Sequence, residues 1–180
     1  MNVLYIKWDC YLGNYIEKEI SRRYGTIFQY SISNCSDTRH DEKISSDIVK
    51  MIIEKRIDFA FSMNYFPVVA VACMACKIKY ISWTYDSPYI QLYSRTIEYP
   101  TNYAFVFDES EYEKLICKGV NGVYYLPMPA CCEQYDCFKI DSQQKEKYRA
   151  DIAMIGSMYS EKNTICLDTS TKLMIIPRGI

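Results

Sequence analysis

Short apolar runs alternate with longer amphipathic stretches along most of the chain. Val3 to Trp8 alternates little in polarity and predicts a buried strand. Leu12, Ile16, Ile20 and Tyr24 then recur at helical spacing, with Tyr15 on the same side, and Gly25 supplies a stop. Thr26 to Ile32 predicts a second strand, and Ser33 to Lys43 a polar surface loop. Ile44, Ile48, Met51 and Ile52 form one apolar face of a second helix, with Lys and Glu on the other. Ile57 to Ser62 predicts the third strand. Pro67 suits the first turn of a buried helix, because its missing N–H would be unpaired there in any case. Lys79 to Ser82 predicts the fourth strand. Pro88 to Thr101 has no clean period and reads as a loop with a short helix. Tyr103 to Phe107 predicts the fifth strand. Asp108-Glu-Ser-Glu111 has the pattern of a capping box, opening a helix that runs to about Lys118 and is closed by Gly119. Val123 to Leu126 predicts the sixth strand, stopped by Pro127 and Pro129. The polar stretch 131–149 holds one weak helix near Ser142 to Tyr148, and Asp151 to Ile155 predicts a seventh strand. Strands alternating with helices predict an α/β fold, with a Rossmann-like, mostly parallel sheet and helices on both faces.

Two strand ends stand out. Ser62-Met-Asn-Tyr-Phe-Pro67 and Ser82-Trp-Thr-Tyr-Asp-Ser-Pro88 each break from an apolar run into polar and aromatic residues, and each reaches a proline. In an open α/β sheet, ligands bind beyond the carboxyl ends of the strands. Crowding of Asn64, Tyr65, Trp83, Tyr85, Asp86 and Ser87 at successive strand ends therefore points to one cleft. Ordinary turn chemistry is the competing explanation, since Asn, Asp, Ser and Pro are default turn residues.

Composition narrows the class. At 180 residues the chain can build one well-cored domain, and 49% apolar residues fit a globular protein. A net charge of −1, from 21 basic and 22 acidic side chains, argues against nucleic acid as a partner. The longest apolar run, Phe66 to Cys76, is shorter than the roughly 20 residues of a membrane span. The start lacks a basic segment and a cleavage site of secretory type, and the nine cysteines are odd in number. Both features predict a cytoplasmic protein with reduced thiols. Cys73-Met-Ala-Cys76 lies inside the apolar helix without a nearby histidine. Cys131, Cys132 and Cys137 lack an evident fourth ligand, so no metal site is assigned.

Most familiar chemistries find no motif. The one histidine, His40, sits in a polar loop; no GxSxG, GxxxxGK[ST] or GxGxxG sequence occurs, and no cofactor is predicted. Gly13 alone follows the first strand and is a weak phosphate-loop signal. Asp41-Glu42 and Glu109 with Glu111 read as helix-start residues. The polar groups left at strand ends are Asp9, Asn64, Asp86, Asp108 and Ser157. Among them Asp86 is the candidate catalytic group, able to accept hydrogen bonds from sugar hydroxyls or to act as a general base. An Asx-type turn in which Asp86 bonds its own backbone is the open alternative.

The run FAFSMNYFPVVAVACMACKIKYISWTYDSPYIQLYS, with YAFVFDESEYEKL, GVNGVYYLPMPA and DIAMIGSMYSEKN, resembles a specific family. It is similar to the N-terminal domain, formally of unknown function, that precedes the CgeB-like spore-maturation glycosyltransferase domain of Firmicutes. The resemblance covers roughly residues 1 to 163. It implies one half of a GT-B arrangement, in which two Rossmann-like domains flank a cleft and the N-terminal one faces the acceptor. By that resemblance Asn64, Trp83, Tyr85, Asp86 and Ser87 line the acceptor side, with Tyr65 beside them. Gly156, Ser157 and Tyr159 lie near the passage to the second domain. The expected organisation is a Rossmann-like domain over 1–157 and a divergent or truncated tail over 158–180, where a short strand at Leu173 to Ile176 is one option. The implied partners are a nucleotide sugar and a glycan acceptor, provided that a donor-binding second domain is supplied; alone the chain is expected to be inactive. Two other readings stay open: a stand-alone sugar- or nucleotide-binding or protein-interaction module, and a response-regulator-like domain. The latter needs a carboxylate at the end of strand three, where Asn64 stands.

Overall fold

The computed structural model describes residues 1–33, 38–132, 136–137, 139–154 and 174–175. Two compact units divide the chain, Met1–Cys131 and Cys132–Ile180.

The first unit is built on one six-stranded, all-parallel sheet of order β2-β1-β3-β4-β5-β6. Its strands are β1 (Asn2–Lys7), β2 (Thr26–Ser31), β3 (Phe59–Met63), β4 (Lys79–Thr84), β5 (Asn102–Val106) and β6 (Val123–Tyr125). Its helices are α1 (Gly13–Tyr24), α2 (Glu42–Lys55), α3 (Pro67–Cys76) and α4 (Glu109–Cys117). The predicted α/β class, with helices on both faces of a Rossmann-like sheet, is what the chain forms.

The strand order explains which helix lies where. The chain steps outward from β1 to β2, then crosses back over β1 to reach β3. Crossovers between parallel strands are right-handed, so reversing the direction moves the following helices to the opposite face. Leu12 at the N-cap of α1 and Ile16 and Ile20 within it accordingly pack on Val3, Tyr5, Phe59, Phe61 and Met63. On the other face Leu4, Ile6, Ala60, Tyr80, Ala104, Val106 and Val123 meet Ile44, Ile48 and Ile52 of α2, most of α3, and Leu115 of α4. Alternate residues of each strand serve the two faces, as the pleat requires.

Local signals set the helix ends. Asp41 accepts from the amides of Lys43 and Ile44 at the start of α2, and Pro67 opens α3. Gly25 (φ +97°) ends α1. The unperiodic stretch after β4 forms two short 3-10 helices, Ile90–Tyr93 and Arg95–Glu98, which stand in for a full crossover helix. Leu92 and Ile97 anchor them in the core.

The second unit holds α5 (Ser142–Lys147), whose capping box pairs Asp141 with Gln144. The expected seventh strand is present only as β7 (Ala153–Met154) and does not extend the parallel sheet. It pairs antiparallel with β8 (Met174–Ile175), within the stretch where a terminal strand was one option. Pro127 and Pro129 and the polar residues after them break the alternation that carries the sheet as far as β6. The division at Cys131 also falls earlier than the expected change of character after residue 157. Among the described residues no helix is long and apolar enough to cross a membrane.

Candidate functional site

The order β2-β1-β3-β4-β5 places a topological switch point between β1 and β3, where adjacent crossovers leave in opposite directions and open a crevice beyond the carboxyl ends. The residues at this place are Trp8 after β1, Asn64 after β3 and Tyr85, Asp86 and Ser87 after β4.

Asn64 holds the site together. Its backbone adopts the left-handed conformation (φ +62°), which Asn tolerates better than most residues. Its side chain is 2% exposed. The amide Nδ2 donates to Asp86 Oδ2 at 2.7 Å, while Oδ1 accepts from the Tyr85 amide at 3.0 Å. Its own amide donates to the Trp83 carbonyl at 2.9 Å. One residue thus ties the end of β3 to Trp83, Tyr85 and Asp86 at the β4 end.

Behind Asn64 runs a buried relay. The Phe66 amide donates to the Tyr80 hydroxyl (2.9 Å), which meets Ser62 Oγ (2.7 Å), and Ser62 Oγ donates to the Asn64 carbonyl (2.5 Å). Because Ser62 spends its proton on Asn64, Tyr80 must donate to Ser62. Burial pushes the Tyr80 phenol well above its ordinary range, so it stays protonated.

Trp8 supplies the aromatic wall. Its indole Nε1 donates to the Met63 carbonyl at 2.6 Å. Its ring stacks on Tyr85 with centroids 5.9 Å apart and planes 25° apart, and its edge meets Phe66 at 6.1 Å. Both Trp8 and Tyr85 are half-buried, and Asp86 is exposed. An amphipathic ring pair beside a carboxylate held in one orientation can stack on a sugar ring and accept from its hydroxyls.

The next loop is fastened to α4. Ser87 Oγ donates to Asp108 Oδ2 at 2.5 Å, and the Ser87–Pro88 peptide is cis. Asp108 also caps α4 by accepting from the amides of Ser110 and Glu111. The Ser87 hydrogen bond, helped by these two amides, holds the Asp108 carboxyl below its usual range. The capping-box pattern is only half fulfilled. Glu111 does not return to the N-cap; its Oε1 accepts from the Tyr89 amide at 3.0 Å instead.

Glu111 is 4% exposed, and burial, reinforced by Asp108, raises its pKa against the Tyr89 bond and Lys114. A carboxyl whose folded pKa is raised adds stability below the unfolded value, about 4.3, and that stability is lost as pH rises through the folded value. Glu111→Gln, which keeps an acceptor for Tyr89, is therefore expected to raise the melting temperature at pH 7. The gain should shrink toward pH 4. Melting curves at both pH values check this, and an equal shift at both would contradict it.

Not every candidate from the sequence reaches the crevice. Asn64, Tyr85 and Asp86 come together there, whereas the Ser87 hydroxyl turns to Asp108 at the start of α4. Tyr65 does not: it is 0% exposed, its ring lies 5.6 Å from that of Tyr80, and its hydroxyl meets Thr96 Oγ1 at 2.8 Å and receives Asn102 Nδ2. The turn at Asn64 sends Tyr65 inward, so it is a core residue. Trp83 packs on the α1 face of the sheet, and its Nε1 donates to the Leu126 carbonyl at 3.2 Å, toward β6. Gly156, Ser157 and Tyr159 lie outside the described residues. Trp8 carries no motif of its own; its signal in the sequence is a tryptophan closing a strand just before the polar Asp9.

Gly13 serves packing. A Cβ there would lie 2.7 Å from Cys10 Sγ, and Tyr5 donates its hydroxyl to the Gly13 carbonyl at 2.7 Å. Burial raises the thiols of Cys73 and Cys76, consistent with inert positions in α3. Among the described residues no group of three His, Cys, Asp or Glu side chains is placed to hold a metal ion. A broad groove of about 660 Å³ runs along α1 and β2, lined by Lys7, Lys18, Arg22 and Gln29 among others. Glu17 bridges Lys7 (3.3 Å) and Gln29 across it, a surface ion-pair arrangement away from the β3 and β4 ends.

The fold and this crevice define a Rossmann-like α/β domain with a polar and aromatic site at its switch point. No protein-family model, curated protein or solved structure matches the chain.

Proposed function

We propose that this chain is the acceptor-side domain of a GT-B-type, CgeB-like glycosyltransferase, inactive in transfer without a donor-binding second domain. The observation that carries the reading is the exposed Asp86 carboxylate, held at 2.7 Å by the Asn64 amide next to the stacked Trp8 and Tyr85 rings. In this reading Trp8 and Tyr85 take the face of the acceptor sugar. Asp86 accepts from its hydroxyl and, in the assembled enzyme, removes the proton as that oxygen bonds to the anomeric carbon of the donor sugar. The anomeric bond to the nucleoside diphosphate breaks, and the diphosphate leaves with the electron pair. Asn64 positions Asp86, and Ser87 fixes the loop through Asp108. The resemblance in the strand-end motifs supports the same assignment and adds a cytoplasmic role in spore maturation.

Calorimetric titration of the full chain with neutral oligosaccharides tests the reading. Asp86→Asn keeps a partner for Asn64 but removes the charged acceptor, so affinity is expected to fall about tenfold or more. An unchanged affinity would remove Asp86 from the site.

A further inference from the structure

Resting on the acceptor reading, we infer that the crevice at the ends of β1, β3 and β4 takes a sugar carrying no phosphate or other anionic group. Phosphate in doubly wound folds usually lands on a helix N-terminus, where unpaired amides and the helix dipole face it. Most amides at the helix starts along this edge already have partners. In α1 the Gly13 amide donates to the Cys10 carbonyl (3.3 Å), and those of Tyr15 and Ile16 donate to the Leu12 carbonyl (3.1 Å each). Cys10 Sγ fills the space above Gly13 that a phosphate-cradling turn would leave open. In α3 Pro67 has no N–H, the Val68 amide donates to the Thr38 carbonyl at 3.2 Å, and the Phe66 amide before it is held by Tyr80. In α4 the carboxylate of Asp108 already serves as the anion.

The charges point the same way. Asp9 and Asp86 are exposed at the ends of β1 and β4, and Asp108 stands at the end of β5. Among the described residues none of the three forms an ion pair with Lys or Arg; Lys114, within α4, is the cation that acts on Asp108. An incoming phosphate or uronate would meet like charge from these carboxylates. The ring pair and the oriented carboxylate are suited instead to a neutral hydroxylated ring, or to one bearing an amine.

The test is an array of neutral, phosphorylated and uronate-bearing glycans probed with the full chain, with UDP-glucose as soluble competitor. Retention on neutral glycans is expected to exceed that on matched phosphorylated or uronate glycans by about tenfold or more, without displacement by UDP-glucose. Asp9→Asn, which removes an exposed charge outside the contacts described, should narrow that gap. Equal retention of anionic glycans, or displacement by UDP-glucose, would overturn the charge selection and leave the acceptor reading standing. Retention of no glycan of any class would overturn the acceptor reading itself.

Discussion

Tyr80→Phe is expected to destabilise the first unit by about 3 kcal/mol, although it deletes a single oxygen. The side chain is 1% exposed and lies between β3 and β5 in the sheet. Its hydroxyl accepts from the Phe66 amide and donates to Ser62, whose own proton goes to the Asn64 carbonyl. Removing it leaves a buried amide without an acceptor, and water cannot enter so closed a place to replace it. An orphaned buried donor bears its full desolvation penalty, which is why the loss exceeds that of an average hydrogen bond. The melting temperature should fall by about 10 °C on that basis. Ser62→Ala leaves the Phe66–Tyr80 bond intact but orphans the Tyr80 hydroxyl proton and the Asn64 carbonyl, so it should cost a comparable amount. Denaturant titrations of both variants give the comparison, and a negligible loss in either would contradict the relay.

Asn64→Ala is expected to cost about 3 kcal/mol as well, and also to empty the site of its orientation. Three effects combine. The Tyr85 amide loses its acceptor, Asp86 loses its donor, and alanine must sit at φ +62° without a polar side chain to favour it. Asn64→Gly separates these effects, because glycine accepts positive φ freely. It should recover about 1 kcal/mol of stability relative to alanine. It should recover none of the glycan affinity, since Asp86 is equally unheld in both variants. Equal stability of the two would show that the backbone conformation is not a source of strain. Restored affinity in Asn64→Gly would show that Asp86 needs no positioning.

The elements of this fold were legible because their signals are local. Every-fourth-residue apolar spacing marks α1 and α2, Asp108 announces α4 two and three residues ahead of the amides it caps, and Pro67 opens α3. What failed was non-local. Tyr65 and Tyr85 look alike in the sequence, each one or two residues past a strand. The left-handed turn at Asn64 sends Tyr65 into the core, whereas β4 continues to Thr84 and leaves Tyr85 at the rim. Glu111 satisfies the spacing of a capping box, yet its carboxylate reaches the amide of Tyr89 in a different loop. Trp8 reads as one more core aromatic until the switch point at β1 and β3 brings it against Tyr85. The partner of β7 stands about twenty residues downstream, and short strands carry too little pattern to announce an antiparallel partner.

The most direct test of the site is the response of the two tryptophan indole N–H signals in the nuclear magnetic resonance spectrum of the full chain, assigned by Trp8→Phe and Trp83→Phe, as neutral glycan is added. The Trp8 signal is expected to move with saturation, while that of Trp83, bonded to Leu126 on the sheet face, stays in place. Movement of Trp83 with Trp8 unmoved would place the ligand elsewhere on the molecule and contradict the switch-point site.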